Sequence, residues 1–296
     1  MAEITSEKSP EQRRRDNVRG AIWGLGMMAG LGGVSIAVRA LKSDIELQEL
    51  LFFRAFIGLL VITVIMAPRG WRILIPRRPG LQLVRNMLQV SAQYCVYFAI
   101  LIVPLAEVVA IEFTVPLITA LFAAVMIKEK IDRLRWIGMV TGFVGVLFVV
   151  RPVFQDVPAA ILIAIFGAIL FSLNSVLVKV LSEVEDAGTM VFVMNFIQTL
   201  ILIIPTYYVW VTPEWHHVPW LMLLGLSGLF AHYCLSRALA IADTSIVLPL
   251  DFLRMPFIAM IAYWVWGETF SPWTAVGAVI IFGSSYFAIM RERKGS

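Results

Sequence analysis

The chain contains itself twice. Ala92-Gln93-Tyr94-Cys95 returns as Ala231-His232-Tyr233-Cys234, 139 positions later in a chain of 296 residues. At that offset Ala99 meets Ala238, Glu112 meets Asp251, Phe113 meets Phe252, Glu129 meets Glu268 and Gly138 meets Gly277. One residue of slack brings Ser35 onto Ser175, Arg39 onto Lys179, Phe52 onto Phe192 and Phe56 onto Phe196. A duplicated chain folds as two like units, and in a membrane the number of helices per unit decides how the units face each other.

The solvent of this fold is lipid. Hydrophobic residues make up 60% and charged ones 15%, more apolar surface than a soluble core buries, and it comes in runs long enough to cross a bilayer. Ten such runs fall at about 20–38, 47–67, 83–103, 105–127, 135–150, 158–180, 189–211, 218–236, 243–266 and 272–290. Pro104, Pro158, Pro213, Pro219 and Pro272 punctuate junctions between them, where a missing donor and a fixed φ favour a break. No run alternates with period two, as a barrel strand would.

The expected fold is an all-α integral membrane protein with ten transmembrane helices arranged as two inverted five-helix repeats. The expected division is a tail at 1–19, repeats at 20–152 and 153–290, and a short tail at 291–296. Five is odd, so the second copy enters the membrane from the opposite face. Inverted repeats of this kind underlie alternating-access carriers, because the halves can exchange conformations.

Charge placement sets the expected direction. Arg13, Arg14, Arg15 and Arg19 precede an apolar segment that begins at Gly20 and runs far enough to span, which reads as a retained helix rather than a cleaved signal. Nineteen Lys and Arg residues fall in the two tails and the even-numbered loops, against Arg39, Lys42 and Arg151 in the odd-numbered loops. Both termini are expected in the cytoplasm, with the chain multi-pass in a bacterial inner membrane. The net charge of +4 is therefore a topology signal, not a nucleic-acid footprint. Cys95 and Cys234 lie within apolar runs and offer neither a disulfide framework nor metal-ligand spacing; they read as small packing residues.

Several motifs carry a family likeness. Leu51-Phe52-Phe53-Arg54-Ala55-Phe56 resembles the second-helix motif of EamA-type transporters of the drug/metabolite transporter superfamily. So do Pro104-Leu105-Ala106-Glu107 with Pro116, and the closing Lys128-Glu129-Lys130. Residues 248–256, Leu-Pro-Leu-Asp-Phe-Leu-Arg-Met-Pro, followed by Trp266-Gly267-Glu268, are similar to that family's ninth helix. The resemblance covers about residues 20–290. It implies a five-plus-five helical carrier with a central cavity lined by helices one, three, four, six, eight and nine. Its members handle amino acids, nucleotide-like compounds, vitamins, amines and organic acids.

Four charges stand inside expected spans: Arg54, Glu112, Asp251 and Arg254. Each costs about 2.5–3.5 kcal/mol to insert, so each is expected to face a cavity or a partner. Glu112 and Asp251 occupy matching positions and are read as groups that bind a cation or carry protons. For Asp251 a local ion pair with Arg254, three residues on, is the competing reading. Arg54 has no basic counterpart, since Met194 matches it; it either meets substrate or braces helix packing. Arg85 lies near an expected span end and reads as an interface anchor.

Gln89, Gln93, Tyr94, Asn174, His232 and Tyr233 are mid-span polar groups, candidates for hydrogen-bonding a substrate or for tying helices together. His216 and His217, beside Trp215, read as interfacial. Pro116 and Pro256 read as gate hinges or packing kinks, and Gly30 belongs to a glycine stripe suited to close contact and bending. The expected activity is that of a secondary transporter moving a small polar or amphipathic metabolite, with protons as a candidate coupling ion. An exporter or facilitator of the same fold is the alternative. No phosphate-binding Gly-Lys-Ser/Thr loop is present, so ATP is not the expected energy source. An intramembrane enzyme would need a nucleophile–base pair or a metal motif, neither of which is written here, and a non-transporting scaffold would tolerate neutral residues at the charges. Neither a cofactor nor a metal is expected. The expected partners are a small-molecule substrate and the bilayer, with the chain a monomer or homodimer.

Overall fold

A computed structural model describes residues 10–70, 74–112, 114–126, 159–241 and 254–267, with scattered positions in 137–148 and 271–283. Nine α-helices are placed among them: α1 (Pro10–Ala40), α2 (Leu47–Met66), α3 (Pro79–Ile102), α4 (Leu105–Glu112), α5 (Val115–Met126), α6 (Ala159–Ser182), α7 (Ala187–Val209), α8 (Val218–Ile241) and α9 (Arg254–Trp266). A 3-10 turn at Ala67–Arg69 follows α2, and no strand occurs among the described residues. Six stretches are long and apolar enough to cross a membrane: Val18–Ala40, Leu47–Met66, Glu107–Met126, Ala159–Ser182, Ala187–Val209 and Val218–Ile241.

Two expectations about local structure are corrected. The fourth span holds two helices, α4 and α5, with a turn at Thr114 between them. Pro116 has no N–H to give the Glu112 carbonyl, so the ladder fails one turn upstream of it. The second correction concerns α3, which begins at Pro79, a full turn before the expected span. Proline at the first helical position suits a helix start, since its missing N–H is an orphan there anyway.

Packing joins the halves rather than keeping them apart. α1 lies along α8 and α3 along α6, while α2 packs on α7 and α8, α3 also touches α7, and α4 meets α9. Exchange the halves, so that α1, α2 and α3 become α6, α7 and α8, and the pairs among these helices map onto one another. The close approaches obey the same exchange. A Cβ at Gly26 would stand 2.9 Å from Cys234 Sγ, and one at Gly167 would stand 2.9 Å from Cys95 Cβ. The two cysteines of the repeated tetrapeptides thus seat against glycines of the opposite half, as small packing residues should.

Both loop ends are tied by polar contacts. At one end the Thr206 hydroxyl donates to the Gln48 carbonyl (3.1 Å), and the Val211 amide donates to Glu49 Oε1 (3.1 Å). At the other, the Arg78 amide donates to Glu185 Oε1 (3.0 Å), and Asp186 caps α7 by accepting from the Gly188 amide at 2.8 Å. Glu46, the repeat equivalent of Asp186 with one residue of slack, is the N-cap of α2 without a side-chain bond; asparagine and aspartate are the better caps because their short side chains reach the first amides. Asp186→Ala is expected to cost about 1 kcal/mol, read as a lower melting temperature of the purified protein, with Glu46→Ala near neutral. Outward faces stay apolar: Val64, Ile204, Tyr207, Tyr208 and Trp264 are exposed, as suits a surface wetted by lipid.

Candidate substrate-binding site

The break in the fourth span positions an acid. Glu112 is the last residue of α4. Beyond it, the Thr114 amide (3.0 Å) and hydroxyl (2.8 Å) both donate to the Ile111 carbonyl, and the Ser172 hydroxyl of α6 donates to the Val115 carbonyl at 3.2 Å. These bonds satisfy backbone groups freed by the break, which lipid alone would leave stranded. The Glu112 side chain, 14% exposed, accepts from Arg254 Nη2 at 3.0 Å, and the Arg254 side chain is 3% exposed. α1 runs alongside, with Gly32 facing the Arg254 stem. The ion pair joins the first half to the second, between α4 and α9. Asp251 lies outside the described residues.

A second polar set occupies the interface of α2, α3, α7 and α8. Arg54, 2% exposed, donates from Nη2 to Gln198 Oε1 at 3.1 Å. Its stem crosses α8 at Gly228, where a Cβ would stand 3.1–3.2 Å from Arg54 atoms. Glycine is what lets the guanidinium pass there. His232 Nε2 and Gln89 Nε2 lie 3.2 Å apart, within hydrogen-bond reach. Gln93, the repeat equivalent of His232, is buried one turn further along α3.

Arg85 is corrected outright. It does not anchor at an interface: it is 1% exposed, with Nη1 donating to Gln82 Oε1 and the Met190 carbonyl, both at 3.3 Å, and Nη2 set 3.9 Å from Met194 Sδ. Gln82, Arg85, Asn86, Gln89 and Gln93 recur at three- and four-residue spacing, so they form one buried polar face of α3. That periodicity was present in the sequence and is the signal that finds Arg85; Gln198 has no such local signature.

The other candidates scatter. Asn174 on α6 is buried, with Oδ1 unbonded. Tyr233 packs edge-on against Trp23 of α1, ring centres 5.8 Å apart. Its equivalent Tyr94 lines a cavity of about 550 Å³, together with Phe98, Lys42, Asp44, Glu46 and Gln48. Gly30 sits against α8, where a Cβ would stand 2.8 Å from both Ala231 Cβ and the Ser227 carbonyl. Pro116 and Pro256 fall within α5 and α9, but their side chains lie outside what is described. His216 is exposed as expected, whereas His217 is buried and its Nε2 lies 3.4 Å from Asp44 Oδ2. Asp44, His216 and His217 are close enough to be weighed as metal ligands. The Glu214 amide donates to His217 Nδ1, however (3.0 Å), which puts the ring proton on Nε2 toward Asp44 and favours that proton over a metal ion there.

What this arrangement can do is hold a small molecule carrying both signs of charge: a cross-half ion pair on one side, and two buried guanidiniums with amides and an imidazole on the other. Comparison with known proteins agrees with a carrier. The S-adenosylmethionine uptake transporter of Rickettsia prowazekii (strain Madrid E) is 28% identical over 246 residues, spanning 83% of this chain and 84% of the relative. The riboflavin transporter of Vibrio cholerae is 29% identical, spanning 66% and 65%, and the pseudopaline exporter of Pseudomonas aeruginosa is 26% identical, spanning 87% and 91%. A solved crystal structure aligns with 96% of this chain and 99% of its own, at a TM-score of 0.69 and 18% identity, which shows the fold in common. The EamA-like transporter family matches residues 18–151 and again 158–290. A multi-pass, membrane-embedded metabolite transporter, this chain belongs to the EamA-like transporter family.

Proposed function

We propose that the chain is a ten-helix carrier that moves a zwitterionic metabolite of the S-adenosylmethionine type across a bacterial inner membrane by alternating access, with both termini cytoplasmic. The observation that carries this reading is the Glu112–Arg254 pair, which joins α4 to α9 across the two halves at 3.0 Å. A pair that bridges repeats can open as the halves rock, and its acid then answers the ammonium of an amino-acid group. The exchange-invariant packing of α1 on α8 and α3 on α6 supports two inverted five-helix repeats. The relatives named for S-adenosylmethionine uptake support the substrate.

Counterflow tests the reading. Proteoliposomes preloaded with unlabelled S-adenosylmethionine are expected to take up the labelled compound transiently above its external concentration, and saturably. Alternating access requires that overshoot, because inward and outward sites share one binding step. Linear, unsaturable entry with no overshoot would sink it. An imposed pH gradient that accelerates net flux identifies protons as the drive; flux that ignores the gradient identifies a facilitator.

A further inference from the structure

Two guanidiniums lie buried in this membrane protein with only neutral partners. Arg54 bonds Gln198, and Arg85 bonds Gln82, the Met190 carbonyl and Met194. Among the described residues neither has a carboxylate within ion-pair distance, in contrast to Arg254. Buried charge is retained at such a cost only where something compensates it. Polar atoms around the pair are also left open: Nε of Arg54 and of Arg85, Oε1 of Gln89, Nε2 of Gln82 and of Gln198, and Oδ1 of Asn86 are all buried without a hydrogen-bond partner. Orphans are few in native interiors, and a cluster of them in one seam marks a place where a ligand or water bonds.

The depths of the two arginines are informative. Arg54 is the eighth residue of α2, counted from the α1–α2 loop, and Arg85 is the seventh of α3, counted from the opposite end of the bundle. At 1.5 Å per residue each stands about 10 Å in from its own end. His232 is held at Gln89, which lies one turn from Arg85 along α3. The order through the bundle is therefore guanidinium, imidazole with amide, guanidinium.

We propose that Arg54 and Arg85 are two successive binding stations for the carboxylate of the transported molecule, one serving each side of the membrane, with the Gln89–His232 pair between them. The assignment rests on the carrier reading above and adds to it the group that the seam recognises. A carboxylate suits the chemistry, since a guanidinium bonds it with a charge-assisted N–H and each arginine has its Nε–H open. As the halves rock, the station facing the open side holds the carboxylate and the other keeps only its neutral bonds, the bonds that both arginines make here.

The test compares transport of S-adenosylmethionine with that of its decarboxylated analogue, from each face of oriented proteoliposomes, in wild type, Arg54→Gln and Arg85→Gln. Loss of one charge-assisted bond is expected to raise the half-saturating concentration of the carboxylate-bearing compound about ten- to hundred-fold. Arg54→Gln is expected to do so from one face and Arg85→Gln from the other, with the analogue nearly unaffected. An arginine that only braces the bundle would weaken both compounds alike and from both faces, and that result overturns the proposal. Arg85→Lys guards against misfolding: it keeps the charge and is expected to fall between wild type and Arg85→Gln. If wild type carries neither compound, the substrate assignment fails on its own, and the seam is then read by thermal shift. Acetate is expected to stabilise wild type above chloride at equal ionic strength, and each glutamine variant is expected to lose that difference. No acetate effect in wild type would end the proposal.

Discussion

Glu112→Gln is expected to abolish saturable uptake, by at least a hundred-fold, and to lower the melting temperature as well. The substitution leaves the Arg254 guanidinium, 2% exposed, facing an amide where a carboxylate stood 3.0 Å away. Removing one member of a buried pair costs about 3–5 kcal/mol, because the remaining charge keeps its desolvation penalty without the attraction that offset it. Arg254→Gln strands the acid in turn, but a carboxylate can take up a proton and an arginine cannot readily lose one, so its effect on folding is expected to be the smaller. The double variant Glu112→Gln/Arg254→Gln separates the two roles. With both charges gone the folding defect is expected to be largely relieved, while uptake stays absent, since the ammonium of the transported molecule no longer finds Glu112. A double variant that transports at the wild-type rate would reduce the pair to a structural clamp. Melting temperature and counterflow, measured on the same four preparations, decide it.

The elements of the fold were legible in the sequence because lipid imposes a simple requirement. Each apolar run must satisfy its own backbone as a helix, and α2, α6, α7 and α8 lie where the runs predict. The break before Pro116 was legible as a kink, since the missing amide fixes where the ladder fails. The site was legible only in part. Arg54, Gln89 and His232 stand out as polar groups inside apolar runs, but which group meets which does not. Gln198 meets Arg54 and Gln89 meets His232 through the rotational setting of α7 and α3 about their axes, which no local spacing encodes. Arg254 shows the same limit, since no local spacing points to the acid 142 positions back that it meets. Arg85 was misread for a more tractable reason: the helix was started at its first apolar residue instead of at Pro79, which left the arginine an apparent two residues from the end. Counting from Pro79 and noting the amides at three- and four-residue steps would have put it inside.

A second large loss of folding is expected from a residue with no chemistry at all. Gly30 faces α8 so closely that a single added carbon would stand 2.8 Å from Ala231 Cβ and from the Ser227 carbonyl. Backbone cannot swing aside as a flexible side chain would, so Gly30→Leu must push α1 away from α8 along much of their shared length. In a bilayer no hydrophobic drive pulls the helices back together, because lipid tails wet a bare helix as well as its neighbour does; close packing is what holds the pair. Overpacking a tight interior costs about 1–3 kcal/mol, and here the cost extends to neighbouring contacts, Gly26 on Cys234 and Gly33 on Ser227. Gly30→Leu is therefore expected to express poorly or to melt well below wild type, with Gly30→Ala intermediate. Gly80, which has open space around its missing Cβ, serves as the control, and Gly80→Ala is expected to be silent. Equal melting temperatures for Gly30→Leu and Gly80→Ala would mean that the α1–α8 contact is not what joins the first half of this carrier to the second.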